Sequence, residues 1–133
     1  MILVRLIYCS IQNGVGDADI INILDTARAN NALDRVTGAL VYNGKYFLQI
    51  LEGNRMNVTR RFISIVKDCR HKDIELLDFS PIKERRFPRW EIQYVGASDI
   101  DHEIVSTYTT GELDPTRMIF IDGIIEMVLR LVQ

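Results

Sequence analysis

Val36-Thr37-Gly38-Ala39-Leu40-Val41-Tyr42-Asn43-Gly44-Lys45-Tyr46-Phe47-Leu48-Gln49-Ile50-Leu51 is the stretch on which the fold turns. Asn43-Gly44 is a strong short hairpin signal, because both residues tolerate the positive φ that such turns need. The flanks, Val36 to Tyr42 and Tyr46 to Leu51, are apolar almost throughout, which predicts paired strands, the second buried on both faces. One residue breaks that pattern. Gln49 carries two amide donors and a carbonyl acceptor, and burying it without partners costs roughly 1–3 kcal/mol. It is either satisfied by backbone groups or holds something polar inside the core.

Upstream, Ile2 to Cys9 reads as a strand with Tyr8 on the face of Ile2, Val4 and Leu6. Gln12-Asn13-Gly14-Val15-Gly16 is turn chemistry, and Asp17 is suited to cap a following helix. That helix has a stripe of Ile20, Leu24, Ala27 and Asn31, with Ile23 and Asn30 beside it. Asparagine ends helices readily, so a capping role accounts for one of the two asparagines. Downstream of the hairpin, Glu52-Gly53-Asn54 closes one strand and opens a second helix, whose stripe is Val58, Phe62, Ile65 and Cys69. Arg60, Arg61 and Lys67 lie elsewhere on its wheel, and Asp68, Arg70 and His71 follow it. Ile74 to Pro81 and Trp90 to Val95 are further extended segments, with Pro88 between them.

The order β-α-β-β-α-β-β predicts an α+β protein with a ferredoxin-like mixed sheet and two helices on one face. From Ser98 the pattern changes to helices. Ser98 and Asp101 cap a short one carrying Ile100, Ile104 and Tyr108, Gly111 ends it, and Asp114-Pro115 opens the last. That last helix is apolar around most of its circumference, with Met118, Ile121, Ile125, Val128 and Val132 on one stripe. It needs cover on more than one side: the free sheet face, and a second subunit or a partner. Residues 1–97 form the sheet-and-helix unit, and 98–133 a helical extension of it.

A net charge of −2 gives no electrostatic footprint for nucleic acid or an acidic membrane. No apolar run reaches the length that spans a bilayer, and the apolar start has no cleavage pattern. Cys9 and Cys69 make no disulfide framework and lack metal-ligand spacing, so each is expected to pack as a small hydrophobe in a reducing, cytoplasmic compartment.

Tyr8, Asn30-Asn31, Gln49 and Asp68-x-Arg70-His71 bring amides, a phenol, a carboxylate and a guanidinium toward one groove above the first and third strands. Such a set suits a flat heterocycle edged with carbonyls and ring nitrogens. Gly14-Val15-Gly16 is a turn and not a phosphate loop.

With Leu6-Ile7-Tyr8, Asn30-Asn31, Val36-Thr37-Gly38, Phe47-Leu48-Gln49-Ile50-Leu51-Glu52-Gly53, Asp68-Cys69-Arg70-His71 and Arg86-Phe87-Pro88-Arg89-Trp90, the chain resembles the BLUF family, the sensors of blue light using flavin. The resemblance covers about residues 3–95. It implies a non-covalent flavin, FAD or FMN, between the two helices, with Asn31 and Gln49 on the ring. Asn30 and Asp68 would touch the ring or its ribityl edge, Arg70 and His71 its other side, and Ile23 and Ile65 its two faces. Tyr8 would be the photochemical electron donor and Gln49 the switched amide, with Trp90 and Ile92 relaying the change. The family's usual methionine is replaced by Ile92, which keeps volume and loses the thioether acceptor; Ser64 stands where some members place an arginine.

The resemblance therefore implies a non-enzymatic photoreceptor that signals to a separate protein. The apolar pattern of the last helix adds the expectation that it self-associates and docks that partner, and the charge balance the expectation of no direct contact to nucleic acid or membrane. The alternative is a ferredoxin-like regulatory module that binds a small ligand without photochemistry.

Overall fold

The computed structural model describes residues 2–89 and 92–133. Strand β1 (Leu3–Gln12) is followed by α1 (Asp17–Asp34), the hairpin β2 (Thr37–Tyr42) and β3 (Tyr46–Asn54), then α2 (Arg55–Val66), β4 (His71–Pro81) and β5 (Gln93–Val95). Helices α3 (His102–Tyr108) and α4 (Ile121–Leu131) complete the chain, each preceded by one short 3-10 turn. The sheet order is β4-β1-β3-β2-β5. The first four strands pair antiparallel and β5 joins β2 in parallel. This is the expected mixed ferredoxin-like sheet.

The hairpin forms as its sequence predicts. Asn43 Oδ1 accepts from the Lys45 and Tyr46 amides at 3.0 and 2.8 Å, and Gly44 takes a φ of 93°. Gly38 is required for a different reason: a Cβ there would lie 1.8 Å from the Ile50 carbonyl oxygen.

Both faces of the sheet are covered. On one, Leu6 and Tyr8 of β1 and Leu51 of β3 pack against Val58, Phe62 and Ile65 of α2, while Leu40 and Phe47 meet Leu24, Ile23 and Ala27 of α1. On the other, Ile7, Cys9, Val41, Leu48, Ile50 and Phe87 share one core with Val105 of α3 and Ile124, Met127 and Val128 of α4.

Several boundaries differ from the sequence expectations. Asp17 is the first residue of α1, not its cap; Gly16 precedes it, with Asp19 accepting from the Gly16 amide at 2.9 Å. The helix runs a turn beyond Asn31, and Arg35 at φ 55° provides the left-handed cap. Helix α2 stops at Val66, which leaves Cys69 exposed in the turn before β4 and not packed on the stripe; Cys9 is buried as expected. Asp114 caps a single 3-10 turn at Pro115–Arg117, so Met118, Ile119 and Phe120 lie before α4, the last two exposed. Asp101 alone caps α3, through the Glu103 and Ile104 amides. The start of the expected Trp90–Val95 strand falls outside the described residues.

Glu52 is fully buried in the sheet and fully satisfied. Its carboxylate accepts from Arg5 Nε at 2.8 Å and from the Arg86 and Phe87 amides at 3.0 and 2.7 Å, and Arg5 Nη2 lies at 2.7 Å. Arg85 adds hydrogen bonds to the Glu52 carbonyl, Thr37 Oγ1 and the Arg35 carbonyl. The segment after β4 is thereby lashed to the end of β3. Glu52→Ala strands the Arg5 guanidinium and two amides, and should lower stability by about 3–5 kcal/mol. Urea denaturation should show this as a lower midpoint at unchanged slope.

Candidate functional site

Helices α1 and α2 run antiparallel over the sheet, bridged at both ends. The end of α1 meets the first two turns of α2 where Asp34 receives Arg61 Nη2 at 2.6 Å on its carboxylate and Asn57 Nδ2 at 3.0 Å on its carbonyl. Near the other end, Arg70 Nη1 donates to Asn22 Oδ1 at 2.9 Å. Between these bridges lies a cleft of about 740 Å³, open mouth included. Its walls are Ile23, Thr26, Ala27, Asn30 and Asn31 of α1 against Arg61, Ser64, Ile65 and Asp68 on or just after α2, and its floor includes Tyr8, Leu40, Phe47 and Gln49. The wall positions recur at spacings of three and four, the period of one helical face.

The floor is set by register. Tyr8 stands directly opposite Gln49 across the β1–β3 ladder, and Leu40 opposite Gln49 on the other side. The Tyr8 hydroxyl donates to Gln49 Oε1, with both side chains buried. Burial, helped by the negative charge of Asp68, raises the Tyr8 phenol far above its ordinary pKa. It therefore stays protonated and remains a donor. The β1–β4 pairing steps from Ile7 opposite Asp78 to Tyr8 opposite Leu76, so Leu77 is the extra residue of a bulge on β4 beside Tyr8. Phe62 and His71 pack around the phenol, with ring centroids 5.6 and 6.2 Å away.

His71 is the first residue of β4. Its Nε2 lies 2.7 Å from the Ile65 carbonyl and its Nδ1 2.7 Å from Ser10 Oγ. A carbonyl only accepts, so Nε2 carries a proton, and in the neutral ring Nδ1 accepts from Ser10. Both nitrogens are engaged by protein, so His71 lines the cleft through its ring carbons. The helix-capping role that a lone histidine suggests and the cleft position are both present.

Asp68 and Arg70 form a bidentate pair, Nη2 to Oδ2 at 2.7 Å and Nε to Oδ1 at 3.0 Å. The guanidinium bonds hold the Asp68 carboxyl below its usual range. A depressed carboxyl contributes its stability above the unfolded-state value and loses it as pH falls through the folded one. The pair thus persists through neutral and mildly acidic conditions.

Asn31 differs from every group above. It is 1% exposed, and neither its amide nitrogen nor its oxygen has a partner. Buried polar atoms in native structures are almost always satisfied, so a ligand with an acceptor and a donor side by side belongs there. The carbonyl and imide N–H edge of a flavin is such a ligand. With Ile23 and Ile65 as half-buried apolar walls, the residues present fit that group.

Tyr8, Ile23, Asn30, Asn31, Gln49, Ile65, Asp68, Arg70 and His71 thus all line one cleft. Trp90 lies outside the described residues. Ile92 is buried with Leu24, Leu40 and Phe47, next to the cleft without lining it. Arg61, assigned by the sequence to another part of the wheel, is in the wall, and its spacing to Ser64, Ile65 and Asp68 is the signal that could have revealed it. Ser10 and Asn22 carried no sequence signal, because their roles depend on pairing across elements.

The family model described as sensors of blue light using FAD matches residues 3–93. Subunit beta of a photoactivated adenylate cyclase from Euglena longa is 36% identical over 70 residues, 53% of this chain and 8% of that protein. The blue light- and temperature-regulated antirepressor BluF of Escherichia coli K12 is 39% identical over 88 residues, 64% of this chain and 21% of that one. The chain therefore spans a small part of these curated relatives. The photo-activated state of BlsA superposes with a TM-score of 0.85 at 32% identity, covering 98% of this chain and 94% of that one.

Asn31→Leu should separate folding from binding. Removing an unsatisfied buried amide should stabilise the ligand-free protein by about 1 kcal/mol in urea denaturation. Its affinity for added flavin should fall by about tenfold or more in a fluorescence titration.

Proposed function

The chain belongs to the BLUF family, the sensors of blue light using FAD, and we propose that it is a blue-light receptor that holds flavin without a covalent bond and signals to a separate protein. The observation that carries this reading is the buried Tyr8–Gln49 hydrogen bond on the floor of a cleft that also contains the unpartnered Asn31 amide. The flavin, FAD or FMN, supplies blue absorption and, when excited, a strong one-electron oxidant.

Tyr8 is the electron donor. Its phenol is kept protonated by burial, so its proton leaves with or after the electron, along the existing hydrogen bond to Gln49 Oε1. The Gln49 side chain can then turn about its terminal torsion, exchanging oxygen for nitrogen toward Tyr8. When electron and proton return to Tyr8, the glutamine remains in the second arrangement. Few hydrogen bonds change, each worth about 1 kcal/mol net, so the lit state decays thermally in the dark. Asn31, Asn30, Asp68 and Arg70 hold the ring's polar edges, Ile23 and Ile65 its faces, and His71 packs against it. No substrate is turned over.

Residues 1–97 serve as the sensor and 98–133 as the element that reads it. Trp90 and Ile92 relay the change; Ile92 does so by packing, since it has no acceptor. The exposed Ile119 and Phe120 before α4 are candidates for self-association and partner contact. Among the described residues no helix is long and apolar enough to cross a membrane, and both cysteines are free; these observations support a cytoplasmic setting.

Purified protein should be yellow, and blue light should shift its flavin band slightly to the red with recovery in darkness. Tyr8→Phe should keep the flavin and abolish the shift. A colourless protein that rejects added flavin defeats the receptor reading, and an intact photocycle in Tyr8→Phe defeats the assignment of the donor.

A further inference from the structure

Two guanidinium groups line the cleft, and they differ in what they have left to give. The charge of Arg70 is already paired: Nε and Nη2 hold Asp68, and Nη1 holds Asn22. Arg61 has one polar partner among the described residues, Asp34, reached through Nη2 alone. Its side chain is 14% exposed, and its Nε is buried without an acceptor. Asp34, at 40% exposure, sits where water screens the pair and can replace it.

We propose that Arg61 anchors the phosphate end of the flavin nucleotide and makes the cleft selective for FMN or FAD over riboflavin; this rests on the flavin reading above. The charge asymmetry of the cleft supports it. At the Arg70 end, Asp68 and Arg70 neutralise one another, leaving a second N–H on each Nη and carboxylate lone pairs for an uncharged ring edge. At the other end, a partly buried cation keeps an unused donor. A phosphate carries several acceptor oxygens and matches the planar fork of a guanidinium, so it can satisfy Nε while Asp34 turns to solvent. Ser64, one turn further along the same face of α2, adds a hydroxyl to the lining of the cleft.

The test is a titration of the full-length apoprotein with riboflavin and with FMN at low salt, read by flavin fluorescence. Wild type should bind FMN at least about tenfold more tightly than riboflavin, the scale of one charge-assisted contact. Arg61→Gln should remove most of that preference while changing riboflavin affinity by no more than about twofold, and Arg61→Lys, which keeps the charge, should restore much of it. Equal losses for both ligands in Arg61→Gln, or no loss, overturn the proposal. Should the glutamine variant not fold, wild type that binds the two ligands equally overturns it without any substitution. Wild type that binds neither flavin rejects the flavin reading itself, and this proposal with it.

Discussion

Everything at the floor of the cleft depends on the register between β1 and β3. A slip by one residue would turn Tyr8 and Gln49 to opposite faces of the sheet and dissolve the pair. Two polar cross-strand pairs fix that register, three residues apart and therefore on opposite faces. Tyr8 faces Gln49 under the first two helices, and Arg5 faces Glu52 on the side of α3 and α4. Each pair is buried or nearly so, and neither finds its partner in a shifted ladder. The close approach of Gly38 to Ile50 fixes β2 against β3 in the same way, because a side chain at Gly38 has no room.

The contrast between Glu52 and Asn31 separates structure from binding. Both are polar and buried. Glu52 is saturated by a guanidinium and two backbone amides, so its burial is resolved within the fold and its role is to position the segment after β4. Asn31 has none of this. Its backbone carbonyl belongs to the helix ending, accepting from the Arg35 and Val36 amides, while the side chain is left to the cleft. A buried amide in this condition destabilises the protein alone and is repaid when a complementary edge arrives.

The fold was legible where local chemistry and long-range packing agree. Asn43-Gly44 names its own turn, and strands covered on both faces have continuous apolar sequences. Tyr8, Asn31 and Gln49 stood out because each places a polar group on an apolar face. Helix ends were less legible. Asn30-Asn31 looks like a stop, but the helix continues until Arg35 accepts the left-handed conformation, a choice set by the return of the chain into β2. Asp114-Pro115 opens only a 3-10 turn, since the segment before α4 is held otherwise, partly by Asn43 Nδ2 on the Leu113 carbonyl at 2.7 Å. Arg61 was misplaced for a comparable reason: arginine on a helix reads as solvent-facing, and only the neighbouring helix shows that its stem and Nε are buried.

Under the proposed photocycle, a change at Gln49 would reach the C-terminal helices through the walls that are shared. Leu48 and Ile50, the immediate neighbours of Gln49 on β3, point into the core that holds Ile124, Met127 and Val128 of α4. Ile92 sits on the cleft side against Leu40 and Phe47, in contact with the same strands. Three residues further along β3, Glu52 grips the amide of Phe87, whose ring is in the α4 core. A rearranged amide would therefore act on a strand that α4 uses as a wall and that Glu52 ties to a second piece of the same wall. The energy involved is that of one or two hydrogen bonds, and about 1.4 kcal/mol is already a tenfold change in a two-state population. No large motion is needed at the source. A packed interface does not deform continuously, so under the proposed switch a small bias on β3 would be expressed as a shift between discrete packings of the helices that rest on it.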